Sequence, residues 1–403
     1  MLAISSPPFD QMLTSFTSHE EDHNQLQQQQ QHHHLLLHPR PEPASNRSVQ
    51  SHRLLLHCAE LIHHADFAAA RHAISILTTT SSATGDAADR LTHHFTSALS
   101  LRLHLLPPSP HDPNFILSFN QLTPFLRFSH LTANQAILEA VDGHRSIHIL
   151  DFDTGHGLQW PPLLQAIADR SHFPNPPTIQ ITGTGTDPSL LSQTSRRLQS
   201  FAESLGLCFH FHPLCISPTT SFSFQTNGGE ILAVNCTMFL HKLIKDDGLD
   251  ELKQFLLAIK GMNPAVVTVA EKEAKHSSPL FLQRFAEALS YYSAVFESLE
   301  ATLPPSSRER MVVEKMWIGR EIEDIVAGEG EGRKERHERF ERWENLMKNA
   351  GFLIKPLSYF ALAQARLLLR LHYPSEGYMV EMMKGSMFLG WKSKPLFSVS
   401  SWF

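Results

Sequence analysis

The chain has 403 residues, 42% of them apolar and 18% charged, which is enough for one large core or two smaller ones and too apolar for a wholly disordered polymer. With 34 basic and 40 acidic residues and a formal charge of -6, no overall positive field draws it onto nucleic acid or an anionic membrane. Cys58, Cys208, Cys215 and Cys236 form neither a dense disulfide framework nor a CxxC pair, and read as free core residues of a soluble intracellular protein.

Residues 1–48 hold the acids Glu20, Glu21 and Asp22, a glutamine run from Gln27 to Gln31, three histidines from His32 to His34, and Pro39, Pro41 and Pro43. Such composition offers little apolar area to offset chain ordering and predicts a disordered, low-complexity tail. The histidines read as a spacer, with weak metal binding as the alternative.

Ordered structure is expected from Val49, where Leu55, Cys58, Ala59 and Ile62 recur at helical spacing. Phe67, Ala70, Ile74 and Leu77 form a second stripe. A third runs through Ala88, Leu91, Phe95 and Leu99 until Pro107, Pro108 and Pro110 stop it. Residues 49–125 are therefore assigned to a helical cap region and 126–403 to an α/β core with helical insertions. A helix over 125–141 leads into the first strand.

From residue 146 the pattern alternates. Short apolar runs at 146–151, 178–182, 208–214, 231–235 and 265–270 are separated by helical stretches, the form of repeated βα units around a largely parallel sheet. Runs at 378–382, 387–391 and 396–402 read as an antiparallel addition at the sheet edge. The predicted class is α/β: a class I methyltransferase-like Rossmann core with a mostly parallel sheet, an antiparallel C-terminal edge and an α-helical cap.

The first strand opens into Asp151-Phe-Asp153-Thr-Gly155-His-Gly157, where two glycines permit a tight turn and close approach of a ligand. With Thr182 and Gly183 at the end of the second strand, Asp151, Asp153, Gly155 and Gly157 make the candidate small-molecule pocket. The alternative is that the aspartates cap turns and the glycines satisfy strained dihedrals. Gln159 stands where a third glycine is common. The second strand ends without the acid that would hold ribose hydroxyls, the first being Asp187, so methyl transfer is not expected.

No nucleophile elbow, zincin helix or phosphate loop occurs, and no catalytic residue is assigned. His210 and His212 share a strand face without a third ligand, so no metal site is assigned either. Glu271 and Glu273, beside Lys272 and His276, read as ion-paired structural groups, with ligand contact as the alternative. Residues 333–344 read as an ion-laced helix pairing Glu335 with Arg339 and Glu338 with Arg342, and packing through Phe340, Trp343 and Met347.

These elements resemble the plant GRAS family over about 49–403. Ile147, His148, Ile149, Leu150 and Asp151 match the family's VHIID element, with Asn134, Gln135, Glu139 and Ala140 upstream and Gly155, Gln159 and Trp160 downstream. Val269, Glu271, Glu273, Ala274 and His276 resemble the strand-end signature before its PFYRE region. Arg320 and Glu321 continue that region, followed by Arg333, Glu335, Arg336, His337, Glu338 and Trp343. Trp391, Ser400 and Trp402 resemble the terminal SAW element, with Ser401 in place of alanine. The resemblance implies a nuclear transcription coregulator, without enzymatic activity or cofactor, acting through transcription factors and other GRAS proteins. Any DNA association is expected to be weak or indirect, and no membrane is involved. The absence of a DELLA-type motif argues against a gibberellin repressor. Residues 12–16 and 240–247 are similar to the branch of the family associated with axillary meristem initiation and shoot branching. Two alternatives stand: a small-molecule sensor or vestigial methyltransferase-like protein, and a direct DNA-binding factor using Arg127, Arg196, Arg197, Arg366 and Arg370.

Overall fold

Two aspartates set the start of the first helical layer. Asp66 accepts a hydrogen bond from the Ala69 N–H at 3.1 Å, and Asp86 from that of Asp89 at 2.9 Å. They cap α2 (Phe67–Thr80) and α3 (Ala87–Arg102) and satisfy N–H groups the helices leave free. α1 (Ala44–His63) begins ahead of Val49. The expected stripes of these helices are buried, except that Phe67, at the first position of α2, is exposed and Ala88 is only partly buried. The computed structural model describes residues 44–107, 115–170, 176–216 and 229–403. The glutamine run, His32–His34 and the 12–16 segment lie outside the described residues. Ala44–Phe403 is one compact unit.

The cap draws on two distant stretches of chain. α9 (Phe281–Thr302) and α11 (Gly319–Ala327) pack on α3, while α10 (Arg308–Val313) runs into a π-helical turn at Glu314–Ile318. Arg90 of α3 is fully buried and joins them: its Nε donates to Glu314 at 3.0 Å and its Nη1 to Glu300 at 2.5 Å. α4 (Phe115–Leu122) and α5 (Pro124–Ala140) lead from the cap to the sheet.

Among the described residues the sheet has eight strands in the order β3-β2-β1-β4-β5-β8-β7-β6. Five are parallel: β1 (Ser146–Asp151), β2 (Thr178–Gly185), β3 (Cys208–Cys215), β4 (Ile231–Thr237) and β5 (Val266–Lys272). β8 (Lys394–Trp402) lies antiparallel against β5, with Val267 opposite Trp402, and then β7 (Ser386–Trp391) and the edge strand β6 (Tyr378–Met383). The five-strand parallel half with an antiparallel continuation is the expected methyltransferase-like sheet. β5 is buried at every position, as a strand covered on both faces must be. Edge strand β3 instead alternates: Phe209 and Phe211 are buried while Cys208, His210 and His212 face outward. Cys58 and Cys236 are core residues as expected, but Cys208 and Cys215 are exposed because they fall on this edge strand. β2 runs on to Gly185, which places Thr182 and Gly183 within the strand.

α6 (Trp160–Arg170), α7 (Pro188–Ser204) and α8 (Asp250–Gly261) are the crossovers, and α12 (Phe340–Asn349) and α13 (Tyr359–His372) complete the layers. One apolar core joins the cap to the β7–β8 side of the sheet, a second lies among β4, β5, α8 and α12, and a third beneath α6 and α7. Among the described residues no helix is long and apolar enough to cross a membrane.

The helix expected over 333–344 is not formed as such. Residues 333–339 are non-helical and α12 starts only at Phe340. Neither expected i,i+4 pair exists: Arg339 donates to Glu287 at 2.7 Å, Glu338 accepts from Ser277, and Glu335 turns inward to His337 at 2.7 Å. Such local pairs are worth only about 0.2–0.5 kcal/mol each, so buried partners elsewhere outcompete them. The apolar stripe Phe340, Trp343 and Met347 is buried on α12, whose first N–H is held by Glu273 at 3.0 Å.

Candidate functional site

The carboxyl ends of β1, β2, β4 and β5 form the edge where open α/β sheets take their ligands. Here the side chains of that edge are largely engaged with one another. Asp151 accepts from Trp160 Nε1 and from Asn235 Nδ2, both at 2.8 Å. Asn235 in turn exchanges hydrogen bonds with Gln159, both at 3.1 Å, and accepts from Thr268 at 2.8 Å. Burial pushes the Asp151 carboxyl up to about 6, against the opposing donors Asn235, Thr154 and Trp160. Gln159, in the position of the missing third glycine, thus ties the loop to β4.

Of the rest of the candidate pocket, Gly157 and Gly183 are packed against the chain, while Asp153 is exposed and Gly155 has open space beside it. Asp153 has φ 62°, donates its N–H to Thr184 Oγ1 at 3.0 Å and pairs its carboxylate with Lys242. Gly155 and Gly157 have φ 51° and 62°. A Cβ on Gly157 would stand 2.6 Å from Thr194 Cγ2, and one on Gly183 would stand 2.3 Å from Phe211 Cζ. Thr182 Oγ1 is 2.9 Å from His148 Nε2, whose other ring nitrogen faces Glu230 at 3.4 Å.

Beside this loop lies a buried polar cluster. A 3-10 turn at Leu240–Leu243 follows β4 and places His241 with its Nδ1 2.7 Å from Glu271 on β5. Burial lowers the His241 pKa against the pull of Glu271, and the attraction and hydrogen bonds of His241 and His337 hold Glu271 down to about 2 although burial alone would raise it. The non-helical segment lays Glu335 and His337 over the same spot: Glu335 Oε2 is 2.7 Å from His337 Nε2 and 3.9 Å from His241 Nε2. Lys272 lies 2.5 Å from Glu321 and 3.9 Å from Glu335. Arg333 donates to the His276 carbonyl at 2.8 Å and to Asp246 at 2.5 Å. Of these groups the sequence singled out Glu271, Lys272 and His276 as a local ionic set, and missed their joining to His241, Glu335 and His337. The signal was the Glu-x-His spacing, which shares one face only on extended chain.

The model of the GRAS domain family matches residues 51–403. The chain belongs to the GRAS family. Scarecrow-like protein 18 of Arabidopsis thaliana is 46% identical over 403 residues, covering 87% of this chain and 90% of that protein. Protein MONOCULM 1 of Oryza sativa subsp. japonica is 49% identical, with 87% of each chain covered. The crystal structure of SCL7 in Oryza sativa superposes with a TM-score of 0.76 at 35% identity, covering 88% of this chain and 99% of that one. The protein is therefore a plant transcription regulator of a family whose members are regulators rather than enzymes.

The GRAS signatures fall on load-carrying positions. Ile147, Ile149 and Leu150 are buried in β1. Arg320 Nη1 faces Glu323 at 4.0 Å, whereas Glu321 turns inward to Lys272 and accepts from the Tyr292 hydroxyl at 3.0 Å. Trp391 packs edge-on against Tyr378 with ring centres 4.9 Å apart, and Trp402 donates to Ser400 Oγ at 2.9 Å.

Proposed function

We propose that this GRAS protein works in the nucleus as a transcription coregulator that binds transcription factors and other GRAS proteins, and that it promotes axillary meristem initiation and shoot branching. The observation that carries the reading is the occupation of the ligand edge of the sheet by the chain's own groups, Asp151 by Trp160 and Asn235, and Asp153 by Lys242. A protein so arranged has its surface to work with. Leu56, Phe67 and Ile76 on α1 and α2 are exposed apolar residues of the cap, and support partner binding there. Residues 1–48 are proposed as a tail outside the GRAS domain at 49–403, its last residues from Ala44 continuing into α1. The branching role rests on the resemblance at 12–16 and 240–247.

The two alternatives draw less support. Of the candidate DNA-contacting arginines, Arg196 and Arg197 lie on α7 beside edge strand β3, and Arg366 and Arg370 on α13 beside the opposite edge strand β6. Arg197 is also committed to the His156 carbonyl at 2.8 Å. The α7 and α13 pairs therefore do not share one groove, and Arg127 lies on α5, which packs against α13. The test is proximity labelling by the full chain in shoot axils. Recovery of nuclear transcription factors is expected; a wholly cytoplasmic protein that labels no nuclear regulators contradicts the proposal. Calorimetry with adenosyl-methionine should give no saturable heat, and a saturable isotherm would favour the sensor reading over a purely protein-binding one.

A further inference from the structure

His241, Glu335 and His337 come from two parts of the chain far apart in sequence, and each offers a ligand atom within 4.8 Å of the others. Two imidazole nitrogens and one carboxylate oxygen are a zinc donor set, with water completing the tetrahedron. Two tetrahedral ligands at about 2.0–2.1 Å from zinc stand roughly 3.3 Å apart. The separations of 2.7 Å and 3.9 Å from Glu335 Oε2 to the two rings bracket that value, and all three ligand atoms lie within 4.8 Å of one another, so side-chain rotations draw the set together.

Three further features fit an ion. His241 points Nδ1 at Glu271, which fixes the tautomer and leaves Nε2 as the coordinating atom, the carboxylate–histidine arrangement that supports zinc ligands. Within the cluster Glu321 and Glu335 share Lys272, Glu271 faces the rings of His241 and His337, and Arg333 and Arg336 turn to Asp246. The histidines are buried, but the Glu335 side chain is 21% exposed and gives the ion a way in. We propose that His241, Glu335 and His337 bind one zinc ion, with Glu271 orienting His241, and that the ion fastens the 333–339 segment to the carboxyl end of β4. This fastening is independent of the coregulator function.

The test uses the untagged full chain. As purified from zinc-supplemented cells it should carry about one zinc per molecule by elemental analysis, and the chelated protein should take up Co2+ with the visible absorption of a tetrahedral site, displaced by zinc. His241→Gln should abolish that absorption. Glu271→Gln should keep the stoichiometry and weaken binding about 10–100-fold, an effect on affinity that a purely packing role would not produce. Because His32, His33 and His34 are a second source of imidazole, changing all three to serine should leave the Co2+ spectrum intact. Folded wild-type protein, checked by circular dichroism, that holds no zinc and gives no Co2+ spectrum overturns the proposal. So does a spectrum that survives in folded His241→Gln or vanishes with the His32–His34 changes.

Discussion

Trp402 is fully buried in the core shared with Val267, Val269 and Phe352, and its Nε1 is satisfied by Ser400. A ring of this size contributes more apolar area than any other side chain, and its indole N–H leaves no unmet donor. Backbone pairing of Phe403 with Leu353 in both directions at 3.0 Å holds the strand beyond it. Trp402→Ala should therefore lower unfolding free energy by about 3–5 kcal/mol. Partner capture should survive at a temperature where the variant stays folded. Denaturant unfolding and pull-down together check this: unchanged stability with lost capture would make the ring part of a binding surface instead.

At the scale of elements, the cap is held to the segment after α10 by a buried charge network. Arg90 and Glu314 are both about 1% exposed or less, with Arg310 Nε a further 3.7 Å from Glu314. Replacing Arg90 by methionine leaves the Glu314 carboxylate short of its main partner, a change that typically costs about 3–5 kcal/mol. The double change with Glu314→Leu should recover much of the loss. Chemical denaturation of the three proteins measures it, and a single variant within about 0.5 kcal/mol of wild type would show that the network does not hold the cap. Helices α1 to α3 of the cap and strands β1, β4 and β5 were legible in sequence because periodicity reports burial directly, whereas the placing of α9 and α11 in the cap was not. Residues 333–339 were not, because Arg333, Glu335 and His337 find partners on β5 and near β4 that only the folded chain brings close. The same holds for the candidate site: the Asp151 loop could be found from its glycines, but nothing local announced that Trp160, Gln159 and Asn235 would engage it. The exposed Cys208 and Cys215 were misread because strand order, which makes β3 an edge, is a property of the whole sheet.

For the whole molecule, the decisive feature is that cap and sheet share one core. Leu55, Leu77 and Phe95 of the cap belong to the same apolar cluster as Leu389, Phe397 and Val399 of the sheet. Ala44–Phe403 should then melt as one unit, with calorimetric and van't Hoff enthalpies in agreement; a separate low-temperature transition of the cap would refute this.

The placement of β8 also governs how the protein is made. In a parallel βα array each strand meets a neighbour supplied by nearby chain, but β5 must wait for residues 394–402, so that Val267 finds Trp402 only after the intervening helices have been laid down. Closing so long a loop is slow, and until it closes the apolar strand Val266–Lys272 presents an open hydrogen-bonding edge. Nascent chains pass through an aggregation-exposed stage whose duration is set by strand arrival rather than by final stability, and substitutions in β8 that delay it reduce the yield of soluble protein in the cell even where the finished molecule is as stable as before.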